Sequence, residues 1–123
     1  MRKFNLNQEV ETSFEIEVLL GSIYIDSSDV ELPSEVEKMY NTCDKGIKET
    51  EQKEFLLNKK NLDEKQKNQE QLKIMLEFVD MAYKSINSLF GEGATDKIFR
   101  VKSIVAIETF LDNLIPIFQE LEV

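Results

Sequence analysis

Apolar and polar positions alternate between residues 13 and 25. Phe14, Ile16 and Val18 share one phase, with Ser13, Glu15 and Glu17 between them, and Ile23 and Ile25 repeat the pattern. A period of two places alternate side chains on one face of a strand, so two strands are expected here. Gly21-Ser22 is the expected hairpin turn. Phe4 and Leu6 suggest a short third strand, and Asp26-Ser27-Ser28-Asp29 is a turn cluster that ends the sheet. A two-stranded hairpin is marginal in water by itself, so its apolar face has to pack on helices.

From Val36 the period changes. Val36, Met39, Tyr40, Cys43 and Ile47 recur at helical spacing. Ser34 and Glu37 form a capping box behind Pro33, which predicts the helix start. Gly46 interrupts the helix at a cost of about 1 kcal/mol. Asn58-Lys59-Lys60-Asn61 reads as a connection, and Asn61 with Glu64 predicts the next start. Residues 63–71 carry no apolar side chain; pairs such as Asp63 and Lys67 would support a solvated helix there. The stripe resumes at Leu72 and runs through Met75, Leu76, Val79, Ala82, Tyr83, Ile86 and Leu89 to Phe90, where Gly91 is a natural stop. Ala94 to Phe99 predicts a short helix. Ser103 caps a last one, with Ile104, Ile107, Leu111, Leu114, Phe118 and Leu121 on one face and a bend or break at Pro116.

The expected fold is therefore α+β and mostly helical. An N-terminal β-hairpin precedes three main helices and one short one, in a single domain over residues 1–123: a β-rich part at 1–32 and a helical part at 33–123. A helix over residues 62–90 would be about 43 Å long, more than a compact domain of this size can cover. Its polar end is expected to pair with residues 48–57 as a projecting helical arm. Phe55, Leu56, Leu57 and Leu62 are the large apolar residues at the tip of that arm. Two readings of them stay open: a clasp that closes the hairpin, or a contact patch for another chain. The last helix around Leu114 and Phe118 is a second candidate face.

Charge narrows the choice of partner. The chain carries 24 Asp and Glu against 15 Lys and Arg, a formal net charge of −9. Residues 1–40 hold three basic and nine acidic side chains, a net of −6, whereas residues 41–70 hold seven of each. Phosphate binding needs clustered cations, and none stands here without acids beside it. Nucleic acid and anionic membranes are accordingly not expected as partners. No signal peptide is expected, since Met1-Arg2-Lys3 leads into Phe4-Asn5-Leu6-Asn7-Gln8, and no stretch approaches the roughly 20 apolar residues of a membrane span.

The candidate chemistry is thin. The sequence has no histidine, which removes the usual general base and the commonest metal ligand. The single cysteine, Cys43, falls in phase with core positions and fits a reducing, cytoplasmic setting. Gly91-Glu92-Gly93 follows a helix rather than a strand and lacks the rest of a phosphate loop. Asp26, Asp29 and Glu31 lack the spacing and central glycine of a calcium loop and read as a solvated turn. Glu15 with Glu17 and Glu35 with Glu37 are carboxylate pairs that an acidic chain supplies by chance. No catalytic, cofactor-binding or metal residue is expected, and the chain reads as non-enzymatic.

One segment carries a signature. Gly91-Glu92-Gly93-Ala94-Thr95-Asp96-Lys97-Ile98-Phe99, behind the apolar pair Leu89-Phe90, resembles an element of small tail-assembly proteins from long-tailed phages and prophages of Gram-positive bacteria. Those proteins have a similar length, a short β region, then helices, with the element GEG-A-x-[DE]-K-I-F before a last helix. Their pattern often continues with glycine, where this chain has Arg100. The resemblance implies a tail-assembly chaperone, without catalytic residues, that binds a long helical tape-measure protein in the host cytoplasm and keeps it soluble. Two alternatives stand beside it. One is an acidic mimic of nucleic acid that inhibits a DNA-binding protein, which the near-neutral middle third opposes. The other is a virion component that assembles with itself.

Overall fold

The structure is a computed structural model that describes residues 1–3 and 12–121. The strand expected at Phe4 and Leu6 lies outside the described residues. Strands β1 (Ser13–Val18) and β2 (Gly21–Asp26) pair antiparallel, with Phe14 opposite Ile25 and Ile16 opposite Ile23. Helices α1 (Leu32–Asn58), α2 (Glu64–Phe90), α3 (Ala94–Ile98) and α4 (Ile104–Glu120) follow. The α+β, mostly helical architecture with an N-terminal hairpin is the expected one.

Several boundaries differ from expectation. Val18 pairs with Gly21, so Leu19-Leu20 form the hairpin turn and Gly21 opens β2. The turn is tied down from outside: the Leu20 N–H donates to the Lys97 carbonyl at 2.8 Å. Helix α1 starts ahead of Ser34, which caps nothing; burial of Leu32 draws the start forward, and Pro33 sits in the first turn, where a missing N–H costs little. The carboxylate of Asp29 takes the Glu31 N–H instead, at 2.9 Å. Asp63, not Asn61, caps α2 by accepting from the Gln66 N–H at 2.8 Å, so its carboxylate serves the cap rather than Lys67. The last helix does not break at Pro116. It runs on to Glu120 because Leu114 and Phe118, one on each side of the proline, are both buried.

The core forms where the hairpin and all four helices meet. Ile23 and Ile25 pack with Met39 and Cys43 of α1, Ala82 and Ile86 of α2, Ile98 and Phe99, and Ile107, Leu111 and Leu114 of α4. Tyr83 stacks on Phe99 with centroids 5.3 Å apart, and the Phe110 ring meets both Phe99 and Phe90 edge-on. The Tyr40 hydroxyl donates to the Leu111 carbonyl at 2.6 Å and pins α1 to α4. Gly46 is explained by packing. It is buried, a Cβ there would overlap the Met81 methyl group, and the Phe78 ring lies 3.1 Å away. The helix propensity lost at this position is exchanged for close approach of α1 and α2.

Candidate functional site

Helices α1 and α2 have 27 residues each, about 40 Å at 1.5 Å per residue, whereas α4 has 17, about 25 Å. Helix α4 runs antiparallel to α1: Phe118 and Leu111 meet Tyr40, and Ile104 and Glu108 meet the stretch from Ile47 to Glu54. It therefore covers the base of the α1–α2 pair and stops short of the tip. No residue from 48 to 77 belongs to the core cluster. The far half of the helix pair is an arm, held to itself by Lys53–Glu77 at 3.3 Å and by its own apolar contacts.

The four residues expected at the arm tip are not equally exposed. Helix α1 continues to Asn58, so Phe55, Leu56 and Leu57 are successive helical positions, each turned about 100° from the last. Leu57 points inward and is 4% exposed, and Leu62 in the loop is half-buried. Burial of these two is what the clasp reading expects. Phe55 and Leu56 point outward at 59% and 52% exposure. The Lys59 ammonium lies over the Phe55 ring at 4.3 Å, so one face of that ring is already occupied by a cation. On α2 the stripe that includes Val79, Leu76 and Leu72 runs from full burial at Val79 to 53% exposure at Leu72, because the core ends beneath it. Leu114 and Phe118, the residues that marked the second candidate face, are themselves core residues, and Ile115 is the exposed apolar residue beside them.

A groove of about 580 Å³ lies between α1 and α2, with Met39, Met81 and Leu89 in its lining. Glu35, Lys38, Glu77, Asp80 and Lys84 surround it, a rim of mixed charge. A smaller cleft of about 170 Å³ opens where α4 begins, between Ile47, Thr50, Glu51 and Glu54 of α1, Phe78 of α2, and Ile104 and Glu108 of α4.

The signature segment is structural throughout. The Gly91 N–H donates to the Asn87 carbonyl and ends α2, and Gly93 takes the left-handed conformation that starts α3 (φ 82, ψ 0). Thr95 is buried and clamped by Asn87: its N–H donates to Asn87 Oδ1 at 2.9 Å, and Asn87 Nδ2 donates to Thr95 Oγ1 at 3.1 Å. Lys97 lies along Gly21 and reaches the Ser22 carbonyl, joining α3 to the β-hairpin. The sequence pattern gave no sign of the Asn87–Thr95 clamp or of the Lys97 contact, because both depend on a chain reversal that brings separate segments together.

The perturbed ionisable groups are structural as well. Burial raises the Cys43 thiol to about 11 and the Tyr40 phenol to about 12. The Asp26 carboxylate is lowered, first by the Ser28 hydroxyl and then by the Thr12 hydroxyl and the Ser28 N–H, which makes the acidic turn a hydrogen-bonded one. Among the described residues, no group of three or more Cys, Asp or Glu converges as a metal site, and no helix is long and apolar enough to cross a membrane. No family profile, curated protein or solved structure matches the chain.

Proposed function

We propose that the chain is a tail-assembly chaperone-like protein of a long-tailed phage or prophage, binding a helical tape-measure-type protein without catalysing a reaction. The observation that supports this reading is the arm: two long helices extend past the core and hold Phe55, Leu56 and Leu72 in the open. A long helical protein with apolar stripes aggregates when those stripes stay exposed. A chaperone for it needs apolar contacts on a rigid support, together with net charge that keeps the complex soluble. The arm supplies the first and the charge of −9 the second. The resemblance at Gly91–Phe99 supports the same reading through ancestry.

The test is co-expression of the chain with a phage tape-measure fragment that is insoluble alone. Recovery of the fragment in the soluble fraction, bound to the chain, supports the reading. A fragment that stays insoluble, alongside a chain that forms oligomers with rising concentration, points to the self-assembling component instead.

A further inference from the structure

The cleft at the start of α4 differs from the larger groove in having charges of one sign only. Its floor is apolar: Phe78 is buried, and Ile47 and Ile104 are half-buried. Its rim carries three carboxylates, Glu51, Glu54 and Glu108, and no lysine or arginine lines it. None of the three is in an ion pair among the described residues, whereas Glu77 and Asp80 of the larger groove are held by Lys53 and Lys102. The larger groove thus shows no preference for a charge. The cleft does: a long aliphatic side chain fits its floor, and a cation at the end of that side chain meets the rim.

Position adds direction. The cleft lies where α4 stops covering the α1–α2 pair, and beyond that point the α2 stripe that includes Val79 continues outward through Leu76 to Leu72. A helix lying there extends the layer that α4 begins, in the same seam between α1 and α2. We infer that this seam is the docking site for a cationic amphipathic helix of a partner protein, with its apolar face on Phe78, Ile47 and the α2 stripe and a Lys or Arg in the cleft. The inference builds on the arm as a partner-binding element but names a different face from Phe55 and Leu56, and it specifies the charge of the occupant.

The probe is a synthetic 18-residue amphipathic helix of leucine and lysine, compared with a leucine and glutamate counterpart of the same pattern. Both are titrated into the full chain and followed through its amide NMR signals. The lysine peptide is expected to shift the amides of Ile47, Thr50, Ile104 and Glu108, and to bind less tightly as salt rises. The triple variant Glu51→Gln, Glu54→Gln, Glu108→Gln is expected to bind it about fivefold more weakly, because the one cation in the cleft loses all three of its partly exposed carboxylate neighbours. Its dispersed spectrum and unchanged melting temperature confirm that it is folded. Equal binding of the two peptides, shifts confined to other faces, or an unaffected triple variant overturns the inference. So do concentration-dependent shifts at the same amides without peptide, which would give the seam to a second copy of the chain. Tape-measure capture is not used in this titration, so a failure of the functional reading leaves its outcome intact.

Discussion

Phe99 closes the aromatic cluster, stacked on Tyr83 and edge-on to Phe110, at the end of a five-residue helix that has little stability of its own. Phe99→Ala removes both ring contacts and is expected to cost about 3–5 kcal/mol, read as a lower urea midpoint. Gly91 tests a different term. Its backbone (φ 105, ψ 158) lies in a region open almost only to glycine, and a Cβ there meets nothing within 4 Å. Gly91→Val is expected to cost about 1–3 kcal/mol from backbone strain alone; an unchanged midpoint would contradict the geometry of the turn. Cys43 predicts a pH dependence. Burial raises its thiol from 9.0 to about 11, so the neutral form favours the fold. That contribution is complete below pH 9 and is lost as pH rises through 11. Tyr40 titrates in an overlapping range, so the readout is a difference: stability should fall less steeply between pH 9 and 11 in Cys43→Ala than in the parent chain.

At the scale of elements, the arm separates two kinds of apolar residue that sit side by side in the sequence. Leu57→Ala opens the clasp and should destabilise the arm by about 2 kcal/mol or more. Phe55→Ser and Leu56→Ser touch the exposed faces and should stay within roughly 0.5 kcal/mol of the parent. Native-state hydrogen exchange should show amides of residues 50–70 opening at lower free energy than those of residues 78–86, because the arm lies outside the core. Equal protection along α2 would contradict that division. The elements were legible because their periods are clean: two along Phe14–Val18, and 3.6 along Val36–Ile47 and Leu72–Phe90. Their ends were less so. Asn61 with Glu64 predicted the start of α2, but the cap is Asp63, two residues on, whose carboxylate takes the Gln66 N–H. Likewise Ser34 was a sound cap until burial of Leu32 moved the helix start ahead of it.

At the scale of the molecule, the projecting arm followed from a length argument, since a helix of about 40 Å exceeds what this core can cover. Which tip residues face outward did not follow from composition. It depended on α1 continuing unbroken to Asn58, which turns Leu57 inward and leaves Phe55 and Leu56 to the solvent. The cleft lined by Glu51, Glu54 and Glu108 was hidden for a similar reason, because it exists only once α4 lies against α1. On the proposed function, the outward face of the arm captures a helical partner independently of the fold. The deciding experiment compares the double variant Phe55→Ser, Leu56→Ser with the parent chain, measuring melting temperature and the yield of a co-expressed tape-measure fragment. An unchanged melting temperature with capture abolished is the predicted result. Capture at the parental yield, or a melting temperature that collapses together with capture, would contradict it.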